Sequence, residues 1–444
     1  MSLNVYFETY GCQMNVSDTE RARDAVERAG MSVVENSGDA DVVMINTCSI
    51  RAKAERKVLG RVNELHHMLR SKPQLIGIMG CVAQLEGDNL FDAKGKISLV
   101  VGTQAIKRLP QIIESAYTSQ TKILDLAPGR VHDQEQISIT SRTSKVVAFV
   151  PIIEGCNKFC AYCIVPYSRG RERSRPAQEI LEEIGTLQEQ GIKEVHLIGQ
   201  NVNSYRPPAS DNILQNYKGA TPFVKLLKAV GNTGMNRVKF TTSYPRDFHY
   251  EIIETLNDYN NLCNWIHLPV QSGSNRVLQA MRRGYTRDEY LQKIAKIHSS
   301  TKKVAVTTDI IIGFPNETEL EFEETLSLVE EVQFDSSYIF NYSPRTGTPA
   351  FQLSDSVSQE VKAVRFARLK SLQDKIQKIK FERLIGETLS VLVEGISVRD
   401  NSTFTGHSTC HKVINFTGNN LALGNIVNVQ ITSVKTNSLY GIAQ

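Results

Sequence analysis

Three things are scarce in this sequence. No run of about 18 apolar residues is present, which argues against a membrane-spanning helix. Net charge is small, since 51 Lys and Arg face 47 Asp and Glu for a balance of +4, so any nucleic-acid surface must be local. The opening stretch, MSLNVYFETYGCQMN, carries neither a basic start nor an apolar core, so no secretory leader is expected and the cytoplasm is the expected compartment. Internal repeats and low-complexity tracts are also missing. What remains is ordinary globular composition, 41% hydrophobic and 22% charged over 444 residues. That length is enough for about three domains without disulfide or metal staples.

Eight cysteines stand out from this background. In a cytosolic chain of this size, thiols point to metal or catalysis more often than to disulfides. Cys156, Cys160 and Cys163 form one C-x3-C-x2-C triple. Cys12, Cys48 and Cys81 are spread over the first hundred residues, while Cys263 and Cys410 stand alone and read as packing residues. A triple is awkward for structural zinc, which takes four ligands. It suits a 4Fe–4S cubane in which the protein holds three irons and the fourth stays open to a non-protein ligand. A zinc loop completed by a distant His, and cysteines that only pack, are the alternatives.

Short apolar runs (Val5–Phe7, Val42–Ile45, Leu75–Met79 and Leu99–Val101) alternate with amphipathic stretches at Ser17–Ala29 and Ala52–Leu69. This pattern predicts an open parallel α/β sheet over residues 1–118. Cys12, Cys48 and Cys81 each fall just past such a run, at carboxyl ends of strands, where these sheets place ligands. Three separated thiols are therefore expected to converge. Residues 119–144 read as a polar linker with a short strand.

The alternation restarts over residues 145–380. Strands are expected at Val146–Ile153, Val195–Ile198, Val238–Thr241, Trp265–Leu268, Val304–Ile312 and Tyr338–Phe340. Helices are expected between them at Ala177–Gln190, Phe223–Val230, Tyr250–Asp258, Arg287–His298 and Glu319–Val332. Six strands make a partial (β/α)6 barrel, with the cysteine triple in the loop after its first strand. A basic helix follows from Glu360 to about Ile385. Residues 381–444, rich in Val, Thr, Asn and Gly, predict a small all-β barrel. The expected class is α/β with this all-β appendage.

EGCNKFCAYCIVPYSRGRERSR, around the triple, resembles the cluster motif of radical S-adenosylmethionine enzymes. YGCQMNVSDTE, NTCSIRAKAE and GCVAQ, around the dispersed cysteines, resemble the N-terminal domain of the methylthiotransferases of that superfamily. HLPVQSGSNRVLQAMRRGYT, TDIIIGFPNET and YSPRTGTPA resemble the same family's central domain, and GHSTCHKVINF with SLYG resembles a TRAM domain, a small RNA-binding β-barrel. CQMN with NTCSIR is most similar to the bacterial branch that methylthiolates isopentenyl-adenosine in tRNA. The threonylcarbamoyl-adenosine branch typically reads GCKVN there, and the ribosomal-protein branch GCPKN. Two departures are small: RAKAE where REKAE is usual, and HKV in place of an acidic or Asn-rich run in the TRAM-like segment.

The resemblance implies a methylthiotransferase with two 4Fe–4S clusters and S-adenosylmethionine. Cys156, Cys160 and Cys163 would hold the radical-generating cluster, and Cys12, Cys48 and Cys81 an auxiliary one. One S-adenosylmethionine would donate a methyl group. A second would yield the radical that removes hydrogen from C2 of adenine, an unactivated carbon on which acid–base catalysis has no hold. Gly199, Gln200, Asn201, Gln271, Ser272, Gly273 and Gly313 follow the second, fourth and fifth barrel strands and are candidates for the cofactor pocket, with turn chemistry as the competing explanation. Arg169, Arg171, Arg173 and Arg175 alternate, so an extended segment would present all four on one side to RNA phosphates; a solvated strip is the alternative. The basic helix divides evenly between a tRNA contact and a solvated face.

Expected partners are the anticodon loop of tRNA, whose splayed bases are readable without opening a duplex, and an electron donor such as flavodoxin. A monomer is expected, with no membrane association. Competing functions are the same chemistry on threonylcarbamoyl-adenosine or a ribosomal protein, and a non-catalytic zinc-dependent RNA-binding protein.

Overall fold

The computed structural model describes residues 3–49, 52–68, 75–92, 96–128, 141–397 and 400–444. Two compact units divide the chain. The first runs to Thr143 and takes in Glu154–Asn157 and Cys163–Arg175; the second comprises Ser144–Ile153, Lys158–Tyr162 and Pro176–Gln444.

In the first unit the order is β1 (Asn4–Tyr10), α1 (Gln13–Arg28), β2 (Ser32–Val33), β3 (Val42–Thr47), α2 (Ala52–Met68), β4 (Leu75–Gly80), α3 (Cys81–Glu86), α4 (Asn89–Asp92), β5 (Leu99–Val101), α5 (Leu109–Ser119) and β6 (Ile123–Asp125). The strands form one parallel sheet in the order β2-β1-β3-β4-β5-β6. Strands β3, β4 and β5 are buried along their whole length, as a sheet covered on both faces requires. Val26 of α1 and Ile113 of α5 pack with Val5 and Met44 on one face; Val58 and Val62 of α2 pack with Ile45 and Ile78 on the other. Helix α1 starts at Gln13 rather than Ser17, because Asn15, Ser17, Asp18, Thr19 and Glu20 are buried polar residues that interrupt the apolar stripe. The short strand anticipated in the linker is β6. Residues 129–140 of that linker, and Ile50 and Arg51 of the NTCSIR motif, lie outside the described residues.

Strand β7 (Val147–Pro151) opens the central architecture. A two-stranded ladder, β8 (Ile153–Glu154) with β9 (Arg173–Ser174), brackets the cysteine triple and the single turn α6 (Val165–Ser168). There follow α7 (Ala177–Glu189), β10 (Glu194–Ile198), α8 (Pro222–Gly231), β11 (Arg237–Phe240), α9 (Glu251–Asp258), β12 (Trp265–His267), α10 (Asn275–Ala280), α11 (Arg287–His298), β13 (Ala305–Ile312), α12 (Glu319–Val332) and β14 (Ser336–Asn341). Two three-stranded parallel sheets, β7-β10-β11 and β12-β13-β14, meet through a parallel bridge between Val238 and Leu262. The result is the expected partial barrel. Helices α11 and α12 start sharply because Thr286 with Glu289, and Thr318 with Glu321, form reciprocal capping boxes.

Helix α13 (Gln359–Glu382) leads to β15 (Thr388–Ser397), β16 (Asp400–Ser408), β17 (Val413–Thr417), β18 (Ile426–Val434) and β19 (Leu439–Ala443), a closed barrel in the order β15-β16-β17-β19-β18. Its core of Val391, Val393, Ile414, Phe416, Val429 and Ile431 also takes Phe381 from α13.

The cations of α13 fall into two sets. Lys362 is fully buried and pairs with Asp355; Arg365 pairs with Glu317 and Glu319 at 3.0 Å; Arg368 pairs with Glu319 and Glu323; Lys380 pairs with Asp335 at 2.8 Å. These pairs dock the helix on its neighbours, while Lys370, Lys375, Lys378 and Arg383 stay exposed.

The C-terminal barrel is not a separate unit. Lys412 pairs with Asp335 at 2.7 Å, and Arg237 Nη1 donates to the carbonyl of His407 at 3.0 Å. The His411 ring stacks on Trp265 with centroids 4.2 Å apart, at the N-terminal end of the central strands. This burial pulls the His411 imidazole down to about 2. The HKV departure therefore falls on residues that grip the protein itself.

Candidate functional site

Sheet register brings the dispersed cysteines together. Tyr10 pairs with Thr47, and Thr47 with Gly80, so three adjacent strand ends finish in one row. Cys48 and Cys81 come immediately after, Cys12 two residues on, and the Cys48 amide donates to the Tyr10 carbonyl at 3.0 Å. Cys12 is also the N-cap of α1, where the helix dipole favours a negative sulfur. A hydrogen bond from Cys48, opposed by burial and helped by the Arg169 charge, pulls the Cys12 thiol down to about 6. Burial pushes the Cys81 thiol up, against the same arginine.

Two asparagines lock this corner. Asn15 Nδ2 donates to Asn46 Oδ1 at 3.0 Å, while Asn46 Nδ2 donates to the Asn15 carbonyl at 2.9 Å and to Thr19 Oγ1 at 3.0 Å. A Cβ on Gly80, whose φ is 92°, would stand 2.3 Å from Asn46 Oδ1. That glycine is required by both conformation and space. Asn15 and Asn46 were not singled out from the sequence, although they are the N of CQMN and the N of INTC.

Arg169 lies inside the protein and not on the RNA-facing strip that its alternation implies: it is 3% exposed and pairs with Asp18 at 2.6 Å and Glu154 at 3.3 Å. Arg175 is also buried, at 4% exposure. Arg173 is half-buried, with Glu154 at 3.7 Å, and Arg171 is exposed. The segment is extended only at β9, so the expected four-arginine row does not form.

Cys156 and Cys163 belong to the first unit and Cys160 to the second. In the first unit the Cys156 amide donates to the Gly170 carbonyl at 3.2 Å. In the second, Ala161 anchors the loop by donating to the Met281 carbonyl at 3.0 Å and accepting from Ala350 at 2.8 Å. Buried Arg283 donates to Cys160 Sγ at 3.5 Å, to Tyr285 Oη at 3.0 Å and to the Pro269 carbonyl at 2.8 Å, and lies over the Tyr244 ring at 4.5 Å. An N–H contact of this kind stabilises a ligand sulfur and tunes a cluster.

The strand ends of the central barrel carry strain and unmet polar atoms. Thr242, β-branched, holds φ at 71°, and Gln271 holds 74°. Gln200 Oε1, Thr241 Oγ1 and Ser243 Oγ are buried and have no protein partner among the described residues. Lys158, Arg246 and Ser204 all bind Asp247; burial pushes that carboxyl up, but these partners hold it below the usual carboxylate range. Orphaned polar atoms at strand ends fit a polar ligand such as S-adenosylmethionine.

The seven pocket candidates divide accordingly. Gln200 offers a free acceptor, and Asn201 lies buried beside it. Gln271 is laddered to β13 through Asp309 and Ile311. Ser272 and the Gly273 amide are taken up by Thr325 Oγ1, the latter at 2.9 Å. A Cβ on Gly273 would meet the Glu324 carbonyl at 2.4 Å, one on Gly199 the Ile153 carbonyl at 2.6 Å, and one on Gly313 the Lys362 stem at 2.5 Å. Close packing accounts for these glycines.

Among the described residues no three His, Cys, Asp or Glu side chains form a group able to hold a metal ion. Cubane ligands each take their own iron and stand wider apart than ligands sharing one zinc. The donor set, all thiol with adjacent buried guanidinium groups, fits clusters. Cys263 is buried and burial pushes its thiol up, while Cys410 contacts Ser408 Oγ at 3.2 Å; both pack.

Known proteins match throughout. Residues 4–102 match the uncharacterized protein family UPF0004, 150–329 the Radical SAM superfamily and 382–443 the TRAM domain. A tRNA-2-methylthio-N(6)-dimethylallyladenosine synthase of Thermoanaerobacter sp. (strain X514) is 42% identical over 99% of this chain and 92% of its own length. Another from Syntrophotalea carbinolica is 41% identical over 98% of both chains.

The chain belongs to the tRNA-2-methylthio-N(6)-dimethylallyladenosine synthase family, and so to the radical S-adenosylmethionine methylthiotransferases. Membership in this family implies S-adenosylmethionine and a 4Fe–4S cluster. The fold is also that of solved radical enzymes: the methyltransferase TsrM from Kitasatospora setae superposes with a TM-score of 0.57 at 14% identity, covering 79% of this chain and 77% of its own. The cobalamin-dependent radical enzyme OxsB gives a TM-score of 0.53 at 10% identity, over 84% of this chain and 56% of its own. Among the described residues, no helix of this family member is long and apolar enough to cross a membrane.

Proposed function

We propose that this chain inserts a methylthio group at C2 of N6-isopentenyl-adenosine beside the anticodon of tRNA. The observation that carries the reading is the meeting of Cys12, Cys48 and Cys81 at three adjacent strand ends, in a chain related over its full length to named synthases of this activity. Cys156, Cys160 and Cys163 would hold one 4Fe–4S cluster and Cys12, Cys48 and Cys81 a second, each trio leaving one iron to a non-protein ligand. When bound, the clusters and S-adenosylmethionine supply one-electron reduction, the 5′-deoxyadenosyl radical, the methyl group and a place for the sulfur.

The chain's own residues bind, aim and shield. Arg283 fixes Cys160 by hydrogen bonding while Tyr244 and Tyr285 keep water from its guanidinium. Gln200, Thr241 and Ser243 offer polar groups to the amino-acid and ribose parts of S-adenosylmethionine, and the Lys158–Asp247 pair orders the rim beside them. Burial matters because a radical persists only where water and stray donors are excluded. Exposed Arg171 and the C-terminal barrel would meet the tRNA backbone. The chain would act in the cytoplasm as a monomer, with flavodoxin or a similar protein as electron donor.

Anaerobically reconstituted protein should hold about 8 iron per chain with matching sulfide. Zinc without sulfide would overturn the assignment. Nucleoside analysis of tRNA from cells lacking the gene should show isopentenyl-adenosine without its methylthio group. An unchanged profile would refute the substrate.

A further inference from the structure

Arg169 and Asp18 are 3% and 1% exposed, and their pair is a costly thing to bury: two hydrophobic residues of similar volume would serve stability as well or better. Their position gives the charge a use. Asp18 lies one turn into α1, whose N-cap is Cys12, and Arg169 interacts electrostatically with Cys12 and Cys81. Burial opposes the guanidinium's charge, and Asp18, Cys81 and Glu154 more than restore it. The backbone around Arg169 is pinned as well. Thr103 Oγ1 donates to the Ser168 carbonyl at 3.0 Å, Gln104 Nε2 to the Arg169 carbonyl at 3.3 Å, and the Cys156 amide to the Gly170 carbonyl at 3.2 Å. Glu154, the other carboxylate on Arg169, stands two residues before Cys156.

We propose that Arg169, aimed by Asp18, is a positioning residue that sets the charge balance, and so the reduction potential, of the cluster held by Cys12, Cys48 and Cys81. The inference rests on the two-cluster reading above. One-electron reduction adds a negative charge to a buried centre. A fixed guanidinium beside its thiolates favours the reduced form, and a fixed carboxylate behind that guanidinium tempers it. The two side chains therefore act with opposite sign.

The test uses the full chain with Cys156, Cys160 and Cys163 all changed to Ala, so that only the auxiliary centre contributes, and follows its potential by EPR at controlled potentials. Arg169→Gln should move the midpoint negative by at least a tenfold change in the reduction equilibrium, about 59 mV for one electron. Asp18→Asn should move it positive, Arg169→Lys should leave it within a third of that shift, and Asp18→Asn combined with Arg169→Gln should return it toward the parent. A purely structural role moves neither single variant, or both in the same direction, and either result overturns the proposal. If Arg169→Gln fails to retain iron, the positive shift of Asp18→Asn decides alone, and its absence refutes the idea. Should the parent itself hold no iron, the two-cluster reading fails instead, so the two failures are distinct.

Discussion

Cys12, Cys48 and Cys81 are delivered by three strand ends of one sheet, whereas Cys156, Cys160 and Cys163 come from a single loop. The first arrangement borrows its precision from register: the backbone row Tyr10–Thr47–Gly80 exists whether or not anything binds there. The second is framed by the short β8–β9 ladder and held by clamps, the Arg283 side chain on Cys160 and backbone hydrogen bonds joining Ala161 to Met281 and Ala350. A sheet-built site is as rigid as the core beneath it. A loop-built site is as rigid as its clamps.

The sharpest way to break the comparison is to remove one thiol from each side. Cys156→Ala should abolish both 5′-deoxyadenosine formation and methylthio insertion, while Cys48→Ala should spare the first and abolish the second. Each should lower iron from about 8 to about 4 per chain. Chromatography of the nucleoside products with an iron assay checks this, and identical phenotypes would dissolve the distinction.

Next in size is the clamp. Arg283→Ala strips several buried hydrogen bonds and leaves a cavity, for a loss of about 2–4 kcal/mol in denaturant unfolding. Iron should be lost from the loop site while the sheet site stays loaded. Asn46→Ala should do the reverse on a smaller scale. By orphaning Asn15 it should cost about 1–3 kcal/mol, with a double-mutant cycle against Asn15→Ala showing strong non-additivity.

The mildest test is pH on iron-free protein. Because the folded Cys12 thiol lies at about 6, below its ordinary 9.0, its ionisation contributes stability that is full above the ordinary value and is lost as pH falls through about 6. Alkylation followed by mass spectrometry should label Cys12 readily at neutral pH and slowly below about 6. Cys81, pushed up by burial, should lag at every pH.

The place of the loop triple after the first barrel strand was legible because its residues lie close together in sequence, and the convergence of the dispersed trio because each cysteine follows a recognisable apolar run. The central strands and the C-terminal barrel were legible for the same reason. Hidden were the partners that charges find far along the chain. Arg169 looked like one of four surface arginines until Asp18 stood beside it, and Arg365 and Arg368 of α13 looked free until Glu317, Glu319 and Glu323 met them. Local alternation reveals which way side chains point on an extended segment, and this segment extends for two residues only. The early start of α1 was masked by buried polar residues whose partners lie elsewhere in the chain, Asn15 with Asn46, Asp18 with Arg169 and Glu20 with Arg142.

The stacking of His411 on Trp265 bears on how the C-terminal barrel can be studied. Deleting that barrel to strip away RNA affinity would also bare an indole and take Lys412 from Asp335. A truncated enzyme that lost activity would thus have suffered two injuries at once, one to substrate capture and one to the floor beneath its catalytic strands.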